Sequence, residues 1–374
     1  MEYPKLRQQL DVFPHEVSGE QYVCFRDPFN TRNSFVPRAV FDNIVYYFDG
    51  NHSIADIQKI YIQRFGESDI QDMIQQVIGE LDKNFLLDNS RSREFIKKLK
   101  DDFRNSTIRK DAHAGTAYEA DKDKLKAQLD GFFTSAEGPG IPSQSNQTKK
   151  LKGVIAPHID LGCGGPCFAW AYKEIAESSD AELFIILGIA HTGTNNLFVL
   201  TDKTFETPFG NVETDKGFLN SLQKKNFNIV PILCSSFGEA DKNETDSRQT
   251  YQFKEFVSSL KEAIKESKKK ICIIASVDLA HVGSRFGDTE VQDKAYLNKL
   301  HSDDTDMLKY IENLDAEGFN NSVQKDHNSR KICGYPAINT LLNVIDAKRS
   351  KLLKYSQYAD ETNSTVSFAS MSFY

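Results

Sequence analysis

The stretch Gly153-Val-Ile-Ala-Pro-His-Ile-Asp160 decides how the rest of the chain is read. Gly153 to Ala156 has no polar alternation, which predicts a short strand buried on both faces. It stops at Pro157, which has no N–H to continue a ladder. Past the stop come His158 and Asp160. The same grammar recurs twice. Leu183-Phe-Ile-Ile-Leu187 runs into Gly188-Ile-Ala-His191, and Ile271-Cys-Ile-Ile-Ala275 runs into Ser276-Val-Asp278-Leu-Ala-His281. Asn228-Ile-Val-Pro-Ile-Leu233 is a fourth strand-like run, and Thr365 to Phe373 has a partial period of two that fits a last strand. Helical stretches alternate with these runs. The expected architecture is α/β, with a mostly parallel central sheet flanked by helices in three layers.

In open sheets of this kind ligands bind beyond the carboxyl ends of the strands. Three strands thus bring His158, His191 and His281 to one edge, with Asp160 and Asp278 beside them. Neutral imidazole plus carboxylate suits non-haem Fe(II), Zn or Cu. An imidazole left over can move protons near neutral pH. A single histidine in such a place is commonly a surface or satisfied buried residue. Three of the chain's eight at equivalent strand ends point to one pocket. After His158, the run Leu161-Gly-Cys163-Gly164-Gly165-Pro-Cys167 either makes a tight turn into a helix or presents backbone N–H groups to an anion in that pocket. Lys331-Ile-Cys333-Gly-Tyr-Pro336 opens another helix, and a thiol there can be a metal ligand, a nucleophile or a small buried turn residue. No G-x-S-x-G, H-E-x-x-H, P-loop or dinucleotide fingerprint is present.

Upstream, residues 1–95 read as a separate small α+β unit. Gln21 to Phe25 is β-prone, Pro37 to Phe48 has helical spacing, and Ser53-x-x-Asp56 is a capping-box start to a second helix. Ser68 is placed to cap a third helix with Ile70, Ile74, Ile78 and Leu81 on one face, and Phe85-Leu-Leu87 reads as a short strand. Three helices and a ribbon resemble a winged-helix module. Residues 96–150 form a charge-rich helical connector that ends in the turn-former run Glu137 to Thr148, and 151–374 is the α/β domain.

The 374 residues carry a net charge of −7, which argues against nucleic acid as a main partner. No apolar run reaches the length of a membrane span, and Met1 to Leu10 lacks the apolar core of a secretion signal. Six scattered cysteines in such a chain fit reduced thiols and a cytoplasmic protein.

At these residues the sequence resembles the Memo family, and within it the bacterial AmmeMemoRadiSam system protein B type. The matching strings are VIAPHIDLGCGGPCFAWAY, ILGIAHTG, FETPFGNVETD, VDLAHVGSRFGD and ICGYPAINTLL, in family order over roughly residues 108 to 374. The fold looks like that of class III extradiol dioxygenases of the LigB type, which open catechol rings with non-haem iron. The resemblance implies His158 and His191 as metal ligands and Cys333 in the third-ligand position, where the dioxygenases hold a carboxylate. It also implies Asp278 and His281 in the same pocket, His281 as a base. Thiolate in place of carboxylate softens the site, so Fe(II) or Cu becomes the expected metal. Radical-SAM and AMMECR-type proteins are the partners it implies. Residues 38–88 are loosely similar to PqqD-like peptide-recognition modules. One departure stands out. Family members usually carry a Glu-His-Ser-Ile-Glu string after the VETD strand, and this chain has none. The alternative reading is therefore a non-catalytic peptide- or partner-binding protein with a vestigial dioxygenase-like site.

Overall fold

The computed structural model describes residues 2–29, 33–66, 70–143, 150–191, 194, 196–223, 231–235 and 247–374. The chain folds as two compact units, Met1–Ser106 and Thr107–Tyr374.

In the first unit β1 (Asp11–Val17), β2 (Glu20–Arg26) and β3 (Ser34–Pro37) form an antiparallel sheet in that order. Four helices follow: α1 (Arg38–Asn43), α2 (Ile54–Phe65), α3 (Gln71–Lys83) and α4 (Ser90–Asn105). The helix expected over Pro37 to Phe48 breaks at Ile44 and finishes as a 3-10 turn over Val45–Tyr47. The capping box forms in full. Ser53 Oγ accepts from Asp56 N–H, and the Asp56 carboxylate accepts from Ser53 N–H. Phe25, Ile44, Ile57, Ile74 and Leu87 share one core. Leu87 makes a single bridge with Leu6 rather than a strand, because only one residue on each side meets in register. Ser68 lies outside the described residues. The charge-rich stretch after residue 91 is not one helix. It divides into α4, a two-residue strand β4 (Ile108–Arg109) and α5 (Lys122–Thr134).

The second unit is built on a large mixed sheet. In chain order come β5 (Gly153–Ala156), α6 (Leu161–Ser178), β6 (Leu183–Ile189), β7 (Phe198–Leu200), β8 (Thr204–Thr207), β9 (Gly210–Val212), α7 (Lys216–Gln223), β10 (Ile232–Cys234) and α8 (Ser247–Glu266). Then follow β11 (Ile271–Ser276), β12 (His281–Gly283), α9 (Lys294–Glu312), α10 (Ala316–Gln324), α11 (Tyr335–Val344), β13 (Ser350–Ala359) and β14 (Ser364–Phe373). The order across the main sheet is β12-β14-β5-β11-β6-β10-β7, with β13 on the outer edge of β14. Strands β5, β11, β6 and β10 are mutually parallel, as the apolar runs lead one to expect. The margins are antiparallel. β14 pairs with β5, β12 and β13, and β7 pairs with β10. Of the strand expected from Asn228, residues 228–230 lie outside the described residues.

Helices cover both faces. On one, Ile155, Ile185, Ile273 and Met371 pack with Phe256, Met307, Phe319 and Ile338 from α8, α9, α10 and α11. On the other, Val154, Ala156, Cys272 and Ile274 pack with Ala171 of α6. The expectation of burial on both faces holds for β5 and fails for β6. There Phe184 and Ile186 are 38% and 42% exposed, because α6 lies over β5, β13 and β14 instead.

Candidate metal centre

Three adjacent parallel strands each deliver one polar side chain two residues past their end: His158 after β5, Asp278 after β11 and His191 after β6. Parallel pairing in register aligns those ends, since Ser276 sits opposite Ala156 and Ala275 opposite Leu187. Cys333 arrives from the other side, two residues ahead of α11. One ligand atom each from His158, His191 and Cys333 lies within 4.8 Å of the others. Cys333 Sγ is 3.3 Å from His158 Nε2, and the two imidazole rings are 5.0 Å apart, centre to centre.

Hydrogen bonds orient the donors. His158 Nδ1 is 3.1 Å from the Ser276 carbonyl, which can only accept, so Nδ1 carries the proton and Nε2 presents its lone pair to the cluster. Asp278 Oδ1 accepts the backbone N–H groups of His158 and Ile159 at 3.0 and 3.2 Å, while Oδ2 stands 3.6 Å from His158 Nε2. His281 Nδ1 donates to the Leu279 carbonyl at 3.1 Å by the same logic, leaving its Nε2 open. The turn that carries Cys333 is tight. The Gly334 N–H bonds to the Asp278 carbonyl, and a Cβ at Gly334 would lie 2.5 Å from that oxygen, so only glycine fits without a shift.

A family model described as "Memo-like protein" matches residues 109–244 and 224–372. The chain belongs to the Memo family. A MEMO1 family protein of Aquifex aeolicus is 25% identical, aligned over 99% of this chain and all of its own length. A second, from Methanopyrus kandleri, is 28% identical over 71% of this chain and 98% of its own. Protein MEMO1 of Xenopus laevis is 28% identical over 64% of this chain and 84% of its own.

The electrostatics of this Memo-family pocket suit a cation. Partial loss of water contact holds the half-buried His158 and the more exposed His191 below their ordinary range, and for His191 the neighbouring His158 adds to it, so both are neutral near pH 7 and free to ligate. Burial, reinforced by the Asp278 carboxylate, pushes the Cys333 thiol well up. Burial likewise pushes Asp278 up to about 6 and His281 down. Two neutral imidazoles, a protonated half-buried thiol and a destabilised carboxylate form an arrangement that a positive charge would relieve. Imidazole with thiolate suits Cu, Zn or Fe.

Asp160 and the two glycines occupy other roles in the same neighbourhood. Asp160 is exposed and marks the start of α6, where its carbonyl accepts from the N–H groups of Cys163 and Gly164. Gly164 and Gly165 lie inside α6 rather than in a turn before it. A Cβ at Gly165 would sit 2.3 Å from the Phe132 ring and one at Gly164 2.5 Å from Ile159, so close packing is what both glycines serve. Two contributors were missed by the sequence reading: the Ser276 carbonyl, a backbone group with no signal of its own, and Gly334, whose one clue was its place beside Cys333. Among the described residues no helix is long and apolar enough to cross a membrane.

Proposed function

We propose that this chain holds one redox-active metal ion, Fe(II) or Cu, on His158, His191 and Cys333. The observation that carries the reading is the convergence of the three donor atoms within 4.8 Å, with Nε2 of His158 aimed into the cluster. When bound, the metal supplies a Lewis-acidic centre able to change oxidation state. The chain's own residues do the rest. Asp278 fixes the His158 backbone and places a carboxylate oxygen beside the ligand, and His281 offers a free Nε2 to accept a proton. Work alongside radical-SAM and AMMECR-type proteins in the cytoplasm is part of the same proposal, and six free cysteines are in keeping with a reducing compartment. Metal analysis of anaerobically purified protein tests it. About one equivalent of iron or copper is expected, and stoichiometric metal that persists in the His158→Ala/His191→Ala double variant overturns the assignment.

A second reading rests on the first unit. The family match begins at residue 109, just past it, and the Methanopyrus relative aligns over nearly its whole length without covering all of this chain. A three-stranded sheet packed on short helices in a winged-helix-like, PqqD-like unit would recognise a peptide or partner, and the pocket would then be vestigial. Partners captured by the full chain and equally by residues 1–106 alone, from a protein that holds no metal, would favour this reading. Partners lost when residues 107–374 are removed count against it.

A further inference from the structure

Asp304 lies on α9, is fully buried, and takes no part in the donor set. Its carboxylate is engaged on both oxygens. Oδ1 accepts from Arg330 Nη1 at 2.5 Å, and Oδ2 accepts from Ser367 Oγ at 2.5 Å and from the Tyr355 hydroxyl at 2.9 Å. Two of these three donors lead directly to the chain segments that carry the pocket.

Ser367 sits at the middle of β14, between the residues that pair with β12 and those that pair with β5. In that gap it grips the segment after β11 three times. Leu279 N–H donates to the Ser367 carbonyl, Ser367 N–H donates to the Ala280 carbonyl, and Ala280 N–H donates to Ser367 Oγ. Arg330 supplies the second arm. Its carbonyl accepts the His281 N–H at 2.8 Å, and three residues further on the Cys333 N–H returns to the Leu279 carbonyl at 3.3 Å. The bonds close a ring that runs from Asp304 through Ser367 to Leu279 and Ala280, across to Cys333, and back through Arg330 to Asp304. Asp278 and His281 flank one side of the ring, and Cys333 stands on the other.

Tyr355 touches the same carboxylate and the Ser367 side chain, but bonds to neither pocket segment itself. Its hydroxyl accepts from Gln357 Nε2, which also reaches the Leu297 carbonyl on α9. Arg330 further lines a cavity of about 650 Å3 with Val282, Asp288, Tyr296, Leu300 and Asp326, so the cationic corner of the ring faces an open space. The wholly buried Asp304, with Met307 Sδ 3.9 Å from Arg330 Nη2, holds that corner to α9.

We infer that Asp304 is a positioning residue for the pocket: one buried carboxylate sets the separation between the Cys333 segment and the Asp278–His281 segment. The metal consequences rest on the ligand assignment proposed above. The positional claim does not. Ion pairs buried this deeply add little net stability, yet removing one partner leaves the other stranded and lets the attached segments drift. Groups behind a metal's ligands typically change its affinity by about 10–100-fold when altered.

Two measurements on the full chain separate the positional claim from the metal reading. The first is metal-free hydrogen–deuterium exchange over residues 276–283 and 328–334. Asp304→Asn and the milder Ser367→Ala should speed exchange of the Leu279 to His281 amides at least about tenfold, while Tyr355→Phe leaves them within about twofold. Exchange unchanged in Asp304→Asn and Ser367→Ala, or raised equally by Tyr355→Phe, overturns the inference. The second is titration with Co(II) alone, reading both affinity and the thiolate charge-transfer band. The first two variants should lose about 10–100-fold in affinity and shift the band, with Tyr355→Phe close to wild type. Wild-type protein that binds no Co(II) sinks the metal reading and leaves the exchange result to decide the role of Asp304.

Discussion

The carboxylate of Asp278 caps the backbone of His158. Its Oδ1 takes the N–H groups of residues 158 and 159, while the other oxygen looks toward the His158 ring. A side chain at the end of one strand thus locks the chain at the end of its neighbour, and both hydrogen bonds go to a single oxygen that an amide could equally supply.

That detail gives a pH prediction for metal-free protein. Burial raises the Asp278 carboxyl to about 6, above its value in the unfolded chain. Between about pH 4 and 6 the folded state therefore keeps a proton that the unfolded chain releases, and this group lowers stability as pH rises through that window. Asp278→Asn retains both backbone bonds and removes the buried charge. It should exceed wild type by about 1–3 kcal/mol at pH 8, with the gap closing toward pH 4. Urea unfolding at the two pH values checks it, and a wild type that is the more stable protein at pH 8 would refute it.

Metal uptake should release about one proton at pH 7, because the imidazoles are already neutral and the Cys333 thiol is not ionised. Apparent Co(II) affinity should accordingly rise about tenfold per pH unit below the thiol pKa. Calorimetry in buffers of different ionisation enthalpy counts the proton. Cys333→Ser should abolish both the release and the thiolate band; proton release undiminished in that variant would remove Cys333 from the ligand set.

In the first unit Arg7 and Asp27 form an ion pair with side chains only 5% and 1% exposed. Asp27→Ala strands a buried guanidinium and should cost about 3–5 kcal/mol. The double change Arg7→Met/Asp27→Leu should recover most of that loss. Denaturant midpoints would show it, and a single variant as stable as wild type would contradict the pairing.

Gly165→Ala should destabilise the second unit by about 1–3 kcal/mol, since the added methyl meets the Phe132 ring. Shortening the ring in Gly165→Ala/Phe132→Leu should restore part of the stability. Two losses that simply add would place the clash elsewhere.

Much of the site was legible because the chemistry of a parallel sheet is written locally. A run such as Gly153 to Ala156 must be a buried strand, and its first polar neighbours must lie at the sheet edge. His158, His191 and Asp278 could be read in that way. Cys333 was legible only as a thiol able to ligate, since nothing local ties a cysteine ahead of α11 to a strand end 175 residues earlier, and only the family strings placed it with the histidines. The antiparallel margin was equally obscure. β13 reads Ser350-Lys-Leu-Leu-Lys-Tyr-Ser-Gln-Tyr-Ala359, whose mixed polarity reflects an outer strand paired along one side. Asp304 stands in the acidic run Asp303-Asp304-Thr-Asp306, where nothing local distinguishes it from its neighbours. Only the docking of α9 shows that its side chain is the one turned inward.

The contacts that make the pocket join residues 120 and 175 positions apart. Loops of that span close late in folding, after local helices and hairpins have formed. Metal supplied to a partly folded chain would meet loose thiols and imidazoles along its length before any of them had been gathered. Refolding with Co(II) present from the start should then give a lower yield of correctly loaded protein than adding it after folding is complete.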